Sequence, residues 1–166
     1  AIRLAEAHAF PYPWEKWREV RAAIFEDVYQ NFWNEDRQAF VQYKGGNVLD
    51  AAALIMPLVR FISPYEPRWV STLAAIENEL VTDTLVHRYN TDHADDGLEG
   101  GESTFSMCSF WYVECLARGG QVEKARLYFE KMLGYANHLG LYAEQIGLRG
   151  EQVGNYPQAF THLGLI

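Results

Sequence analysis

Basic residues are scarce: 14 Lys and Arg stand against 22 Asp and Glu, for a formal net charge of −8. No basic stripe runs along the chain, so a nucleic-acid partner is not expected, because phosphate recognition needs clustered cations. A neutral or cationic small molecule is compatible with this charge. Long apolar runs are missing too. None reaches the length that spans a bilayer, no secretory signal is read, and the expectation is a cytoplasmic chain without a membrane partner. Cysteine is down to two. Cys108 and Cys115 fall on one predicted helix, about 10 Å apart along its axis, too far to bridge each other. They are read as small buried apolar residues in a reducing compartment.

Metal and nucleotide signals are lacking as well. His8, His87, His93, His138 and His162 include no pair at metal-ligand spacing on a helix. Neither a Gly-rich phosphate loop nor a G-x-S-x-G elbow occurs. The acidic run Asp92-His93-Ala94-Asp95-Asp96-Gly97 fails as a calcium loop, since Ala94 and Ser103 would occupy liganding positions. It reads as a solvated loop, with Glu102 capping the helix that follows. No metal or cofactor is expected.

What the chain has is apolar and aromatic surface. The 166 residues are 49% hydrophobic and 14% aromatic, with five Trp and ten Tyr, enough for one domain with a dense core or an aromatic-lined site. Residues 1–10 read as the tail of a helix. After Pro11 and Pro13, the spacing of Trp17, Val20, Ile24, Val28 and Phe32 predicts an amphipathic helix over 13–32. Residues 33–48 are irregular, with a short strand at Phe40–Tyr43 and a turn at Gly45-Gly46-Asn47. Leu49 to Ile62 is apolar nearly all round, hence a buried helix, kinked at Pro57. A second amphipathic helix covers 66–81. The loop 82–103 follows and opens with a strand, Leu85 to Tyr89. Phe105 to Leu116 is again apolar on most sides, and Gly119-Gly120 ends it. Val122, Ala125, Phe129, Met132, Leu133 and Ala136 make a third amphipathic helix. The loop 138–156 then leads to Pro157, which opens a third buried helix.

Wet-faced helices near 13, 66 and 121 thus alternate with all-round apolar ones near 49, 104 and 157. The connections that lead into buried helices are long: 33–48, 82–103 and 138–156. Long structureless loops in a compact domain are usually functional, and all three should lie at one end. The expected fold is all-α: three outer–inner helix pairs, about half of a six-pair (α/α)6 toroid. The competing reading is a helical-repeat interaction or sugar-binding module. Gly120 to Ala125 with Phe129 does look like half a tetratricopeptide unit, but no fixed period near 34 residues recurs.

Two positions stand out chemically. Arg88 lies in the predicted strand at the edge of a long loop, where its fork of donors can clamp a polar ligand or pair with nearby acids. Glu144 sits in Leu141-Tyr142-Ala143-Glu144-Gln145, a carboxylate among aromatic and amide side chains that can activate water or merely be solvated. Glu151 competes with it in the same loop.

The segment Leu141 to Gln145, followed by Gly150-Glu151-Gln152-Val153-Gly154-Asn155-Tyr156-Pro157-Gln158-Ala159-Phe160-Thr161-His162, closely resembles the C-terminal end of glycoside hydrolase family 15. That family holds glucoamylases, glucodextranases and some bacterial trehalases. Leu49-Asp50-Ala51-Ala52 through Leu58-Val59, the stretch Leu85 to Tyr89, and Gly100-Gly101-Glu102-Ser103-Thr104-Phe105 to Trp111 look like further family segments. The resemblance implies an (α/α)6 toroid and inverting exo-hydrolysis of α-glucosidic bonds, releasing β-glucose from an α-linked glucosaccharide or trehalose. It implies that Glu144 is the general base, that Arg88 and Tyr89 bind the first glucose, and that Gln145 and Gln158 line the substrate site. Gln158 stands where some fungal members carry Trp.

Inverting hydrolysis needs two carboxyl groups, roughly 6.5–9.5 Å apart with a water between. The family's general acid follows Trp in a segment resembling Asp-Gly-Ile-Trp-Glu. The only Trp-Glu here is Trp14-Glu15, which follows Pro13 and opens an outer helix, so it is not accepted as the acid. Residues 1–166 therefore read as a single-domain C-terminal part of a larger catalytic domain. The expectation is inactivity in isolation, with the missing part of the same enzyme or a second copy as partner.

Overall fold

A computed structural model of the chain describes residues 1–90, 103–147 and 149–166. The acidic run from Asp92 to Glu102, with its expected loop and cap, lies outside the described residues. Helices dominate, but the all-α expectation needs correction. Among the described residues seven α-helices are joined by three small antiparallel sheets. The sheets arise because each long connection folds back on itself or on its neighbour, pairing backbone groups that a bare loop would leave to water.

The chain opens with α1 (Ile2–Ala7) and α2 (Trp14–Asn31). α2 falls one residue short of the predicted helix at each end, and none of its residues is buried. Its apolar stripe lies open, with Val20 47% and Ile24 56% exposed. β1 (Trp33–Asn34) pairs with β2 (Ala39–Phe40), so the strand begins one residue before the predicted Phe40. Phe40 is fully buried against Trp33 and Tyr29.

The predicted helix 49–62 is shorter and broken. A 3₁₀ helix (Ala51–Leu54) runs into α3 (Ile55–Leu58), and Arg60 then takes a positive φ of 60°. Pro57 explains the break: it has no N–H to donate back one turn, so the residues before it tighten instead of continuing an α-helix. The Asp50 carboxylate caps the 3₁₀ turn by accepting from the Ala52 N–H at 2.7 Å.

α4 (Pro67–Leu80) has proline in its first turn and buries Trp69, Leu73, Ile76 and Leu80 on one face. Glu66 caps it. One carboxylate oxygen accepts from the Trp69 N–H at 2.9 Å, and the other accepts from the Tyr29 hydroxyl of α2 at 2.9 Å. Glu66→Ala is expected to lower stability by about 1 kcal/mol. Denaturant unfolding should show a lower midpoint with an unchanged slope.

β3 (Val81–Thr82) pairs with β4 (Leu85–Val86), and the predicted strand to Tyr89 survives beyond β4 only as an isolated bridge at Tyr89. β5 (Thr104–Phe105) leads into α5 (Ser106–Arg118), which is followed by α6 (Val122–Leu133). α6 stops three residues short of the predicted Ala136. β6 (Gln145–Ile146) is the middle strand between β5 and β7 (Gln152–Val153).

α5 is the centre of the molecule. Tyr112, Cys115 and Leu116 enter one core cluster with Leu54, Trp69 and Ile76, while Phe110 enters a second with Met132, Tyr142 and Ile146. A helix that feeds two cores must be apolar on more than one side, which is the pattern in its sequence. Both cysteines sit there as buried free thiols, and burial pushes the Cys115 thiol well above its ordinary range.

α7 (Ala159–Leu165) departs from expectation. It was predicted as a third buried helix, but only Thr161 is buried; Phe160 is 54% and Leu163 70% exposed. α7 packs on α5 along one side, with Trp111 edge-on to Phe160, and among the described residues Leu163 on it stays exposed. The strict alternation of outer and inner helices is therefore not reproduced at α2 or α7.

Candidate active site

The three long connections end side by side. Asp50 bridges Tyr89, and the Ala51 N–H donates to the Arg88 carbonyl at 2.7 Å. Phe105 stands opposite Gln145 in the β5–β6 pair, and the Ser106 N–H donates to the Glu144 carbonyl at 3.0 Å. The Arg88 guanidinium lies over the Phe105 ring, 5.5 Å from its centre. Arg88, through the Phe105 ring, and Glu144, through its backbone carbonyl, thus meet at the 105–106 segment, although 56 residues of sequence separate them (144 − 88).

Glu144 is half-buried. Its backbone N–H donates to the Asn155 carbonyl at 2.9 Å. Its Oε2 accepts from the Asn155 backbone N–H at 3.0 Å and from the Asn155 side-chain amide at 2.9 Å. Among the described residues its Oε1 has no hydrogen-bond partner. A carboxylate held by one oxygen presents the other in a fixed direction. Glu151, the competing carboxylate, is exposed and folded onto its own turn, where it accepts from the Arg149 N–H at 3.0 Å.

The residues before Glu144 are clamped by α7. The Gln158 N–H donates to the Tyr142 carbonyl at 3.0 Å, and the Thr161 hydroxyl lies 3.3 Å from the Ala143 carbonyl. The His162 ring presents Nδ1 to the Gln158 carbonyl at 2.7 Å and Nε2 to the Tyr142 N–H at 3.4 Å. The Gln158 side-chain oxygen accepts from Thr161 at 2.6 Å, so it serves the start of α7. Gln145 is half-buried between Phe105 and Val153 in the sheet. Tyr89 is only 3% exposed, and its hydroxyl meets the Arg88 guanidinium at 2.6 Å. Arg88 also lies 4.5 Å from the Tyr89 ring centre. Tyr89 and Phe105 together fix the plane of the guanidinium, a geometry suited to presenting its donors as a fork.

His87 precedes this arginine. Burial pushes its imidazole below the ordinary value of 6.5, so it stays neutral beside the Arg88 charge. The unfolded chain takes up that proton first as pH falls, so the stabilisation is present above about 6.5 and is lost on acidification toward the lower folded value. The melting temperature should drop as pH is lowered through that window. His87→Gln should flatten the drop.

The residues missed in the sequence are Phe105, Ser106, Gly154 and Asn155. Gly-Asn signals a turn, but which carboxylate that turn embraces depends on long-range packing. Among the described residues no cluster of His, Cys, Asp or Glu is arranged to hold a metal ion, and no helix is long and apolar enough to cross a membrane.

The glycosyl hydrolases family 15 model matches residues 1–166. The chain belongs to that family. A trehalase from Mycobacterium tuberculosis is 42% identical over 165 residues, covering 99% of this chain and 24% of that protein. A trehalase from Thermoplasma volcanium is 40% identical over 168 residues, covering 100% of this chain and 26% of that protein. This family 15 chain thus spans about a quarter of the length of those two relatives. A wild-type glycosidase structure superposes with a TM-score of 0.73 at 22% identity, covering 92% of this chain and 43% of that one. A glycosidase variant in complex with glucose gives a TM-score of 0.75 at 20% identity, with the same coverage. At these identities the superpositions establish the shared fold.

Proposed function

We propose that this chain carries the general-base part of an inverting α-glucosidase site, with trehalose as the favoured substrate. The observation that carries the proposal is Glu144: half-buried, with Oε2 held by Asn155, Oε1 unpartnered among the described residues, and its backbone bonded to Ser106, next to the Phe105 ring that Arg88 lies over. The resemblance of the 141–162 segment to family 15 and the relatives named trehalase support the same reading.

In the proposed reaction Arg88 holds hydroxyls of the non-reducing glucose, with Tyr89 setting its plane. Glu144 Oε1 takes a proton from a water, whose oxygen forms a bond to the anomeric carbon. The glycosidic C–O bond breaks, and the departing oxygen takes a proton from a general acid outside these residues. Glu15 is not taken as that acid, because it follows Pro13-Trp14 without an Asp-Gly lead and opens α2. Attack on the face opposite the leaving group yields β-glucose first. The test is proton NMR of fresh trehalose or maltooligosaccharide hydrolysate. From maltooligosaccharide an initial excess of β-glucose, and from trehalose equal initial amounts of β- and α-glucose (the departing ring keeps its α anomer), support inversion; release as α-glucose alone overturns it.

We further infer that the chain is the C-terminal single-domain portion of an (α/α)6 toroid, and that the rest of the same enzyme covers α2 and α7. At α2, Val20, Ile24, Phe25, Val59 and Phe61 line an open groove edged by Arg3, Lys16, Arg21 and Arg60. Relatives roughly four times as long have the chain to fill it. Expressed alone, residues 1–166 should self-associate, because apolar patches of this kind seek partners. Light scattering decides: a monomer that melts cooperatively contradicts the inference.

A further inference from the structure

The geometry points to Asn155, seated by Gly154, as a positioning residue that selects which oxygen of Glu144 acts on water. This inference rests on the reading of Glu144 as the base and adds the device that aims it.

Asn155 and Glu144 are tied reciprocally. The Glu144 N–H donates to the Asn155 carbonyl at 2.9 Å, and the Asn155 N–H donates back to Glu144 Oε2 at 3.0 Å. The side-chain amide adds a second donor to the same oxygen at 2.9 Å. Two donors on Oε2 and none on Oε1 among the described residues make the carboxylate asymmetric. Rotation about its terminal bond would exchange the oxygens only by breaking both bonds, so Oε1 keeps one direction.

Gly154 makes the close approach possible. A methyl group there would sit 2.8 Å from Glu144 Oε2 and 3.2 Å from its Cβ, and the residue holds φ at +76°. Any side chain at this position would push the carboxylate away and strain the turn. The turn at 154–155 is thus shaped around Glu144, whereas Gly147 lies against Glu151. Misplacing a reacting group by an ångström can cost on the order of 100-fold in rate, so aiming the base matters even when its chemistry is intact.

The test uses the complete enzyme that carries this segment. Asn155→Ala removes the side-chain donor and keeps the backbone one. The expected result is a fall in kcat on trehalose of about 10–100-fold, with KM and melting temperature close to the parent values. Asn155→Asp sets a second carboxyl group against Oε2. It should lose more activity at neutral pH, then recover as pH falls and the pair takes up one proton. A residue that only braces the loop would not give that pH profile. The inference is overturned if Asn155→Ala turns over within about twofold of the parent, or if its loss comes with a matching rise in KM and a lower melting temperature. It is equally overturned if Asn155→Asp keeps the parent pH profile. Glu144→Gln, measured beside them, separates the two readings. If it stays active, Glu144 is not the base. If it is inactive while both Asn155 variants behave as the parent, the base stands and only its aiming by Asn155 fails.

Discussion

Glu144→Gln in the complete enzyme should lower kcat on trehalose by about 10²–10⁴-fold, the usual worth of a general base, and leave KM almost unchanged. Glutamine has the same shape and keeps an oxygen that Asn155 can bond, at 3.0 and 2.9 Å in the parent. The hairpin of β6 and β7 and the clamp from α7 on Tyr142 should therefore persist. What disappears is an atom able to accept a proton from water at the moment of attack, which is a loss confined to the transition state. Steady-state kinetics with coupled glucose detection read both parameters. Turnover near that of the parent would place the base elsewhere. A KM that rises in step with the fall in kcat would mean that the change disturbed sugar binding.

Where the sequence was legible, one element determined its own environment. α5 is apolar on several sides because two cores meet on it, and Ser106 to Leu116 says so without reference to any other segment. The same holds for α4, whose Leu73, Ile76 and Leu80 fall on a single face. Burial at α2 and α7 was not legible in this way. Trp17, Val20 and Ile24 form a good apolar stripe, but a stripe records only that something covers it, not that the cover lies within these residues. The break at Pro57 was anticipated as a kink; that it converts the preceding turn to 3₁₀ depends on the Asp50 cap, a contact of geometry rather than of pattern.

The candidate site divides along similar lines. Arg88 and Glu144 were singled out because the segments around them resemble family 15; the residues alone left each an ordinary reading, as an ion pair or a solvated carboxylate. Phe105 was invisible as a site residue, since an aromatic at the start of a buried helix is ordinary core. Only the pairing of β5 with β6 brings its segment beside Glu144, and only the ring contact brings it to Arg88. Asn155 was hidden for the opposite reason: Gly-Asn is so common in turns that it carries no hint of a catalytic neighbour.

Arg88→Ala should cost kcat/KM about 1.5–3 kcal/mol, the worth of hydrogen bonds made by a charged group. The loss should appear mainly in KM, because an arginine that grips sugar hydroxyls does so before and during reaction alike. Arg88→Lys should recover only part of it. A lysine keeps the charge but cannot stack flat between Tyr89 and Phe105, which lie 4.5 and 5.5 Å from the guanidinium carbon, nor present a planar fork. The expected order in KM is parent, then Lys, then Ala. Equal values for parent and Ala would remove Arg88 from the substrate site. Glu144 and Arg88 are thus expected to fail in opposite parameters, kcat for the first and KM for the second. That contrast separates a base from a clamp more sharply than the size of either loss, since general unfolding of the loops would lower both kinds of activity together.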